Sequence, residues 1–248
     1  MKTYRYILSL SFFVSAIVCT AQEDLTHQSQ NETDHQSNPI EPTYLHISPT
    51  LSSYHHPAEV IYANHIATNQ TIIDTIKIGN QTWMAQNLCV SKFLNGDSIP
   101  EVRSKEEWYE AWRTDKPAWC YYNNDPSTEA KFGKLYTFAA LVDSRGIVPI
   151  GWHIPEEHEW LALINQLKEL KKSDHAKFKS LIEVFHGGSR DFIGNFPNEL
   201  VRSSWWTFTE DAIEFGKGVT AYYDRKLEEF ELINELRMDS HSVRCIKD

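Results

Sequence analysis

His153 is the residue whose setting comes closest to acid–base chemistry. It lies in the run Gly151-Trp152-His153-Ile154-Pro155, where an imidazole is a general-base candidate. The run leads straight into a helical pattern, so the sequence favours a packing corner there. Thiol chemistry needs a reactive cysteine or a metal placed in a cleft. Cys89 and Cys120 follow early strand patterns with no His/Cys cluster nearby, and Cys245 lies inside a strand pattern that suits a structural thiol. No nucleophile elbow and no phosphate-cradling glycine loop is present. No catalytic residue is assigned. Calcium needs several loop oxygens, for which Asn123, Asn124, Asp125 and Pro197-Asn198-Glu199 are the sources. Turn residues bonding their own backbone account for the same pattern, so the chain is read as having no metal and no cofactor.

Binding chemistry rests on aromatics. Trp205 and Trp206 are adjacent, so on a strand they point to opposite faces. One is then expected in the core and the other facing a loop or ligand. Arg190, Asp191, Tyr121 and Tyr122 are candidates for the same surface. Aromatic faces with planar polar groups suit sugar rings and peptides. The competing reading makes these aromatics core scaffold.

The elements that must position these groups begin at Asp74. Ile76-Lys77-Ile78 alternates, Gly79-Asn80 makes a turn, and Gln81-Thr82-Trp83-Met84 continues, which reads as a hairpin. Ser104 with Glu107 fits a capping box opening a helix from Lys105 to Arg113, with Trp108 and Trp112 on one face. Ala118 to Tyr122 reads as a strand. Pro155 is expected to open the clearest helix, with Trp160, Leu163, Ile164 and Leu167 on its apolar face. Asp174 to Val184 reads as another. Val219–Asp224, Leu227–Asn234 and His241–Lys247 look like an antiparallel ending.

The 248 residues suit one sizeable domain plus extras. Hydrophobic residues make up 41% of the chain, enough for a packed core, and a net charge of −10 argues against nucleic acid and anionic lipid as partners. Residues 1–21 read as a secretory signal peptide: Lys2 and Arg5, an apolar run from Ile7 to Val18, then Cys19, Thr20 and Ala21, with cleavage after Ala21. Bulky Ile17 and Val18 before Cys19 disfavour a lipid anchor there. Residues 22–73 read as a disordered polar stalk, with a short strand near Glu59–Tyr62, and residues 74–248 as the folded domain. The stalk histidines, among them His55 and His56, are too scattered for a metal site. No other apolar stretch is long enough for a transmembrane helix. Three cysteines, Cys89, Cys120 and Cys245, would remain after cleavage, leaving which of them pair open.

Four blocks stand in a familiar order. They are Ile78-Gly79-Asn80-Gln81-Thr82-Trp83-Met84-Ala85-Gln86-Asn87-Leu88; Trp119-Cys120-Tyr121-Tyr122-Asn123-Asn124-Asp125 with Phe132-Gly133-Lys134-Leu135-Tyr136; Gly151-Trp152-His153-Ile154-Pro155 running to Glu159-Trp160; and Trp205-Trp206-Thr207 with the terminal Ser242-Val243-Arg244-Cys245-Ile246-Lys247-Asp248. Together they resemble the Fibrobacter succinogenes major paralogous domain family, secreted or lipid-anchored bacterial surface modules. The third block is also similar to a stretch of the sulfatase-modifying, formylglycine-generating group. These resemblances imply an α+β, C-type-lectin-like fold with two main helices, short twisted antiparallel sheets and long loops. They mark Trp83, Gly151, Trp152, His153, Pro155, Trp160, Arg244 and Cys245 as structural motif positions. Family members usually carry cysteine where this chain has Val148, so no pairing for Cys245 carries over. The expectation is a secreted or cell-surface, non-catalytic binding or adhesion module whose ligand is a glycan or a protein. The alternatives are a structural surface component and, behind it, an enzyme of the sulfatase-modifying kind.

Overall fold

The computed structural model describes residues 61–68, 71–197, 201–208 and 217–248. The leader, Cys19 and the stalk up to residue 60 lie outside them, as do Asn198 and Glu199. Strands β1 (Ile61–Thr68) and β2 (Thr71–Ile78) pair antiparallel, so strand structure begins before the boundary expected at Asp74; β1 starts within the short strand expected near Glu59–Tyr62 and runs on to Thr68. The signal for that extension is a cross-strand one: residues 61–68 alternate weakly on their own but pair along the β-branched run of β2. β2 turns at Gly79-Asn80 into β3 (Gln81–Met84), with Ile78 opposite Gln81. Gly79 takes φ +59°, the left-handed conformation that this two-residue loop requires.

Helix α1 (Lys105–Arg113) starts where its capping box places it. Ser104 Oγ accepts the Glu107 N–H at 3.1 Å, and the Glu107 carboxylate accepts the Ser104 N–H at 2.9 Å. Strand β4 (Trp119–Cys120) is shorter than the expected Ala118–Tyr122. Asn123 and Asn124 hold φ +56° and +55°, which curls the chain out of the sheet into a 3-10 turn. Next come α2 (Glu129–Phe132), β5 (Leu135–Thr137), α3 (Phe138–Val142) and β6 (Trp152–His153). Helix α4 (Glu157–Ser173) buries Trp160, Leu163, Ile164 and Leu167 on one stripe, as their spacing requires. Pro155 does not open it. Glu156 is the N-cap, its N–H bonded to the Glu159 carboxylate, and the Pro155 carbonyl instead accepts the Phe208 N–H. Asp174 caps α5 (His175–Ile182).

The remaining strands are β7 (Ser189–Arg190), β8 (Arg202–Trp206), β9 (Lys217–Asp224), β10 (Glu229–Leu236), β11 (Ser240–Ser242) and β12 (Ile246–Lys247). Two sheets result. One runs β1-β2-β3-β12-β6; the other runs β10-β9-β8-β11-β5-β4, with β7 also on β11. The expected single antiparallel ending is therefore divided. β11 joins the second sheet, parallel to β8, and β12 joins the first, between β3 and β6. Val243, Arg244 and Cys245 cross between the two, all buried. The architecture is α+β.

The tryptophan-rich region packs together. The Trp83 and Trp160 rings lie 4.9 Å apart, and the Met84 N–H donates to the Cys245 carbonyl at 2.9 Å. The capping box gives a direct test: Ser104→Ala should destabilise the domain by about 1 kcal/mol, read as a lower urea midpoint with an unchanged slope.

Candidate functional site

The structure places Trp205 and Trp206 on opposite faces of β8, as their adjacency requires, but covers both faces. Each is 0% exposed. Trp205 packs among Trp160, Phe185 and Phe230, and Trp206 against Phe138 and His241. This corrects the expectation that one of them meets ligand. A middle strand of a sheet packed on both sides has no solvent face to offer. Seven of the eight tryptophans are buried, and Trp112 is half-buried.

Arg190 is buried as well. Its guanidinium donates to the carbonyls of Val102, Arg103 and Ser104 at 3.0–3.1 Å and to that of Gly194 at 3.4 Å, between the rings of Trp108 and Phe196. It pins the approach to α1 and is closed to a ligand. Asp191 is half-buried, and its carboxylate accepts the N–H groups of Ile193 and Asn195, closing its own turn. Tyr122 is buried, with its hydroxyl on the Pro197 carbonyl. Tyr121 is half-buried, edge-on to Trp119 at 5.0 Å. The six expected binding residues thus form no shared open face.

Of the six, Trp205 leads to a further buried polar residue, Asn87. Asn87 makes all four hydrogen bonds that its side chain allows. Its Oδ1 accepts from Trp205 Nε1 at 3.1 Å and from Arg244 Nε at 2.9 Å. Its Nδ2 donates to the carbonyls of Phe132 and His186. Arg244 is fully buried over the Phe185 ring and donates further to the Met84, Ala85 and Val184 carbonyls. Burial pushes its pKa down to about 9. A single asparagine carries no periodic or motif signal, so spacing alone could not have singled it out.

The Gly-Trp-His-Ile-Pro run is a corner of the first sheet. Gly151 takes φ +84°, Trp152 is buried, and β6 pairs with β12. His153 Nδ1 lies 2.7 Å from Asp248 Oδ1, and its Nε2 lies 2.9 Å from Glu159 Oε2. Partial burial alone would lower its pKa, but the bonds to Asp248 and Glu159 and their charges outweigh it and hold the imidazole above its usual value. With both nitrogens facing carboxylates, the ring is a bridge between strand end and helix start and has no nitrogen left for a substrate proton.

No bridge joins Cys89, Cys120 and Cys245 to one another: Cys120 and Cys245 are buried free thiols. Burial pushes both up to about 12, which keeps them protonated and unreactive. Asn124 donates to the Arg103 carbonyl and Asp125 caps the Ser127 N–H, so both serve turns. Among the described residues no group of three His, Cys, Asp or Glu side chains is arranged to hold a metal ion. A depression lined by Ala111, Trp112, Phe138 and Arg237 offers about 10 Å³, room for one water.

The Fibrobacter succinogenes major domain matches residues 76–247. The chain belongs to that family. The Fibrobacter succinogenes major domain thus takes in the chain from within β2 to β12, including Asn87, the Gly-Trp-His-Ile-Pro corner and Arg244. No curated protein and no solved structure matches the chain. No helix among the described residues is long and apolar enough to cross a membrane.

Asn87→Ala leaves buried donors and acceptors without partners and should cost about 3–5 kcal/mol in urea unfolding. His153→Gln tests the corner. A raised folded-state pKa contributes stability that is fully present below the unfolded value of about 6.5 and is lost as pH rises through the folded one. The variant's Tm deficit should therefore be larger at acidic pH and shrink at alkaline pH. A deficit independent of pH would mean that packing alone is lost.

Proposed function

We propose that this domain is an extracytoplasmic, non-catalytic binding or adhesion module that meets a glycan or protein ligand with its outer surface. One observation carries the reading. The sequence-predicted candidates for stacking on a sugar or performing chemistry are mostly engaged internally: Trp205, Trp206, Arg190 and Tyr122 in the core, His153 between two carboxylates, and Cys120 and Cys245 as buried thiols. The surface left to a partner is largely polar and charged. Export is supported by the basic start and apolar run of the first 21 residues. A C-type-lectin-like arrangement is supported by short, largely antiparallel sheets joined by long loops and flanked by helices.

A second reading, a structural surface component without a ligand, is favoured by the burial of nearly all the tryptophans. Glycan and peptide arrays probed with the chain from Gln22 onward separate the two. The binding reading expects reproducible signal on one array, weakened by salt because charge makes the contact. Blank arrays would leave the structural component.

A further inference from the structure

We propose that the elbow between α4 and α5, together with the β9–β10 turn, is the ligand-contacting face and that it takes an acidic polysaccharide. This rests on the binding reading above. In a chain of net charge −10, residues 168–179 hold Lys168, Lys171, Lys172, Lys177 and Lys179 against only Glu169 and Asp174. Both acids are engaged: Asp174 caps the Lys177 N–H, and Glu169 pairs with Lys172 at 2.7 Å.

Two of the lysines, Lys171 and Lys179, converge on one carboxylate. Glu228, in the β9–β10 turn, lies 3.5 Å from Lys171 Nζ, 3.4 Å from Lys179 Nζ and 2.7 Å from His175 Nε2. One carboxylate is shared by two ammonium groups and an imidazole; over residues 168–179 and 224–229 together, seven Lys and Arg stand against five Asp and Glu, a modest positive excess. The turn is held in place. Asp224 accepts the Lys226 and Leu227 N–H groups at 2.8 Å, and Lys171 donates to the Glu228 carbonyl at 3.0 Å. The surface is therefore preorganised.

Local folding uses part of this charge: Lys171, Lys172 and Lys179 pair with carboxylates, and Lys171 holds the β9–β10 turn. Lys171 and Lys172 suit the C-terminus of α4, but Lys177 stands in the first turn of α5, where the helix dipole disfavours a cation. The apolar side chains here, Leu170 and Phe178, are buried, and no large hydrophobic between 168 and 179 is exposed. A protein interface would have an apolar centre poor in lysine, and a bilayer-binding helix would present an apolar face. Single-stranded nucleic acid would want exposed stacking rings. A hydrated chain of sugar carboxylates needs only the ammonium groups. Negative charge more than a Debye length of about 8–10 Å away is largely screened, so a polyanion close to this face meets chiefly its local positive charge.

The test is titration calorimetry of the chain from Gln22 with polygalacturonate, with dextran as the uncharged control. The partner variant is Lys168→Gln/Lys172→Gln/Lys179→Gln, whose three lysines are exposed, with circular dichroism checking its fold. The expected result is binding to polygalacturonate and not to dextran, about tenfold weaker or worse in the triple variant and abolished at about 500 mM salt. Undiminished binding by the folded variant overturns the elbow. So does binding confined to anionic phospholipid vesicles or to DNA. If polygalacturonate fails while an array reports another glycan or a protein, the inference falls and the binding reading stands. If everything is blank, both fall.

Discussion

The hydrogen bonds converging on Asn87 hold the molecule together. The Asn87 amide joins the segment after β3 to the end of α2, to the segment after α5, to β8 through Trp205 and to the sheet crossing through Arg244. These pieces are distant in sequence, and each supplies a polar group in a low-dielectric place. There a bond is strong when made and an unmade partner is expensive. Arg244 extends the same logic to the ends of β3 and α5. A buried guanidinium tolerates its site only because carbonyls and a ring face surround it. Neither residue works without the other: Asn87 gives Arg244 a side-chain acceptor, and Arg244 fills half of the Asn87 carbonyl's capacity.

With those bonds in place, the aromatic content has one use. Trp160, Trp205, Phe185 and Phe230 fill one side of β8, and Trp206, Phe138 and His241 fill the other. Arg190 repeats the Arg244 solution at the entrance to α1, taking four backbone carbonyls between two rings. Two arginines that look like ligand-binding groups thus spend their charge on loop backbone. Tryptophan-rich, loop-rich domains need such groups, because long loops entering a core bring carbonyls that no sheet or helix partner satisfies.

Local features were legible in advance, and long-range ones were not. The Gly79-Asn80 hairpin, the Ser104–Glu107 cap and the apolar stripe of α4 depend on residues within a few positions of each other, so spacing sufficed. The opposite facing of Trp205 and Trp206 was legible too. What covers each face was not, since the covering residues come from Phe138, Trp160, Phe185 and Phe230. The short β4 turned on two asparagines adopting left-handed conformations, which asparagine permits but does not demand. Pro155 showed that a proline near a helix start need not be its first residue. The division of β11 from β12 and the role of Asn87 arise from chain crossings that no periodicity records. The lysines at the elbow are visible as letters, but the convergence of Lys171, His175 and Lys179 on Glu228 joins residues more than forty apart.

The position of β12 bears on how the domain is made. This last strand lies between β3 and β6, not at an edge, and the residues just before it deliver Arg244 to its partners. Until β12 is placed, β3 and β6 have no strand to join them, so the first sheet is completed only by pairings between distant parts of the chain. A topology so dependent on distant pairings gives up folding speed, and its first sheet cannot close ahead of the rest.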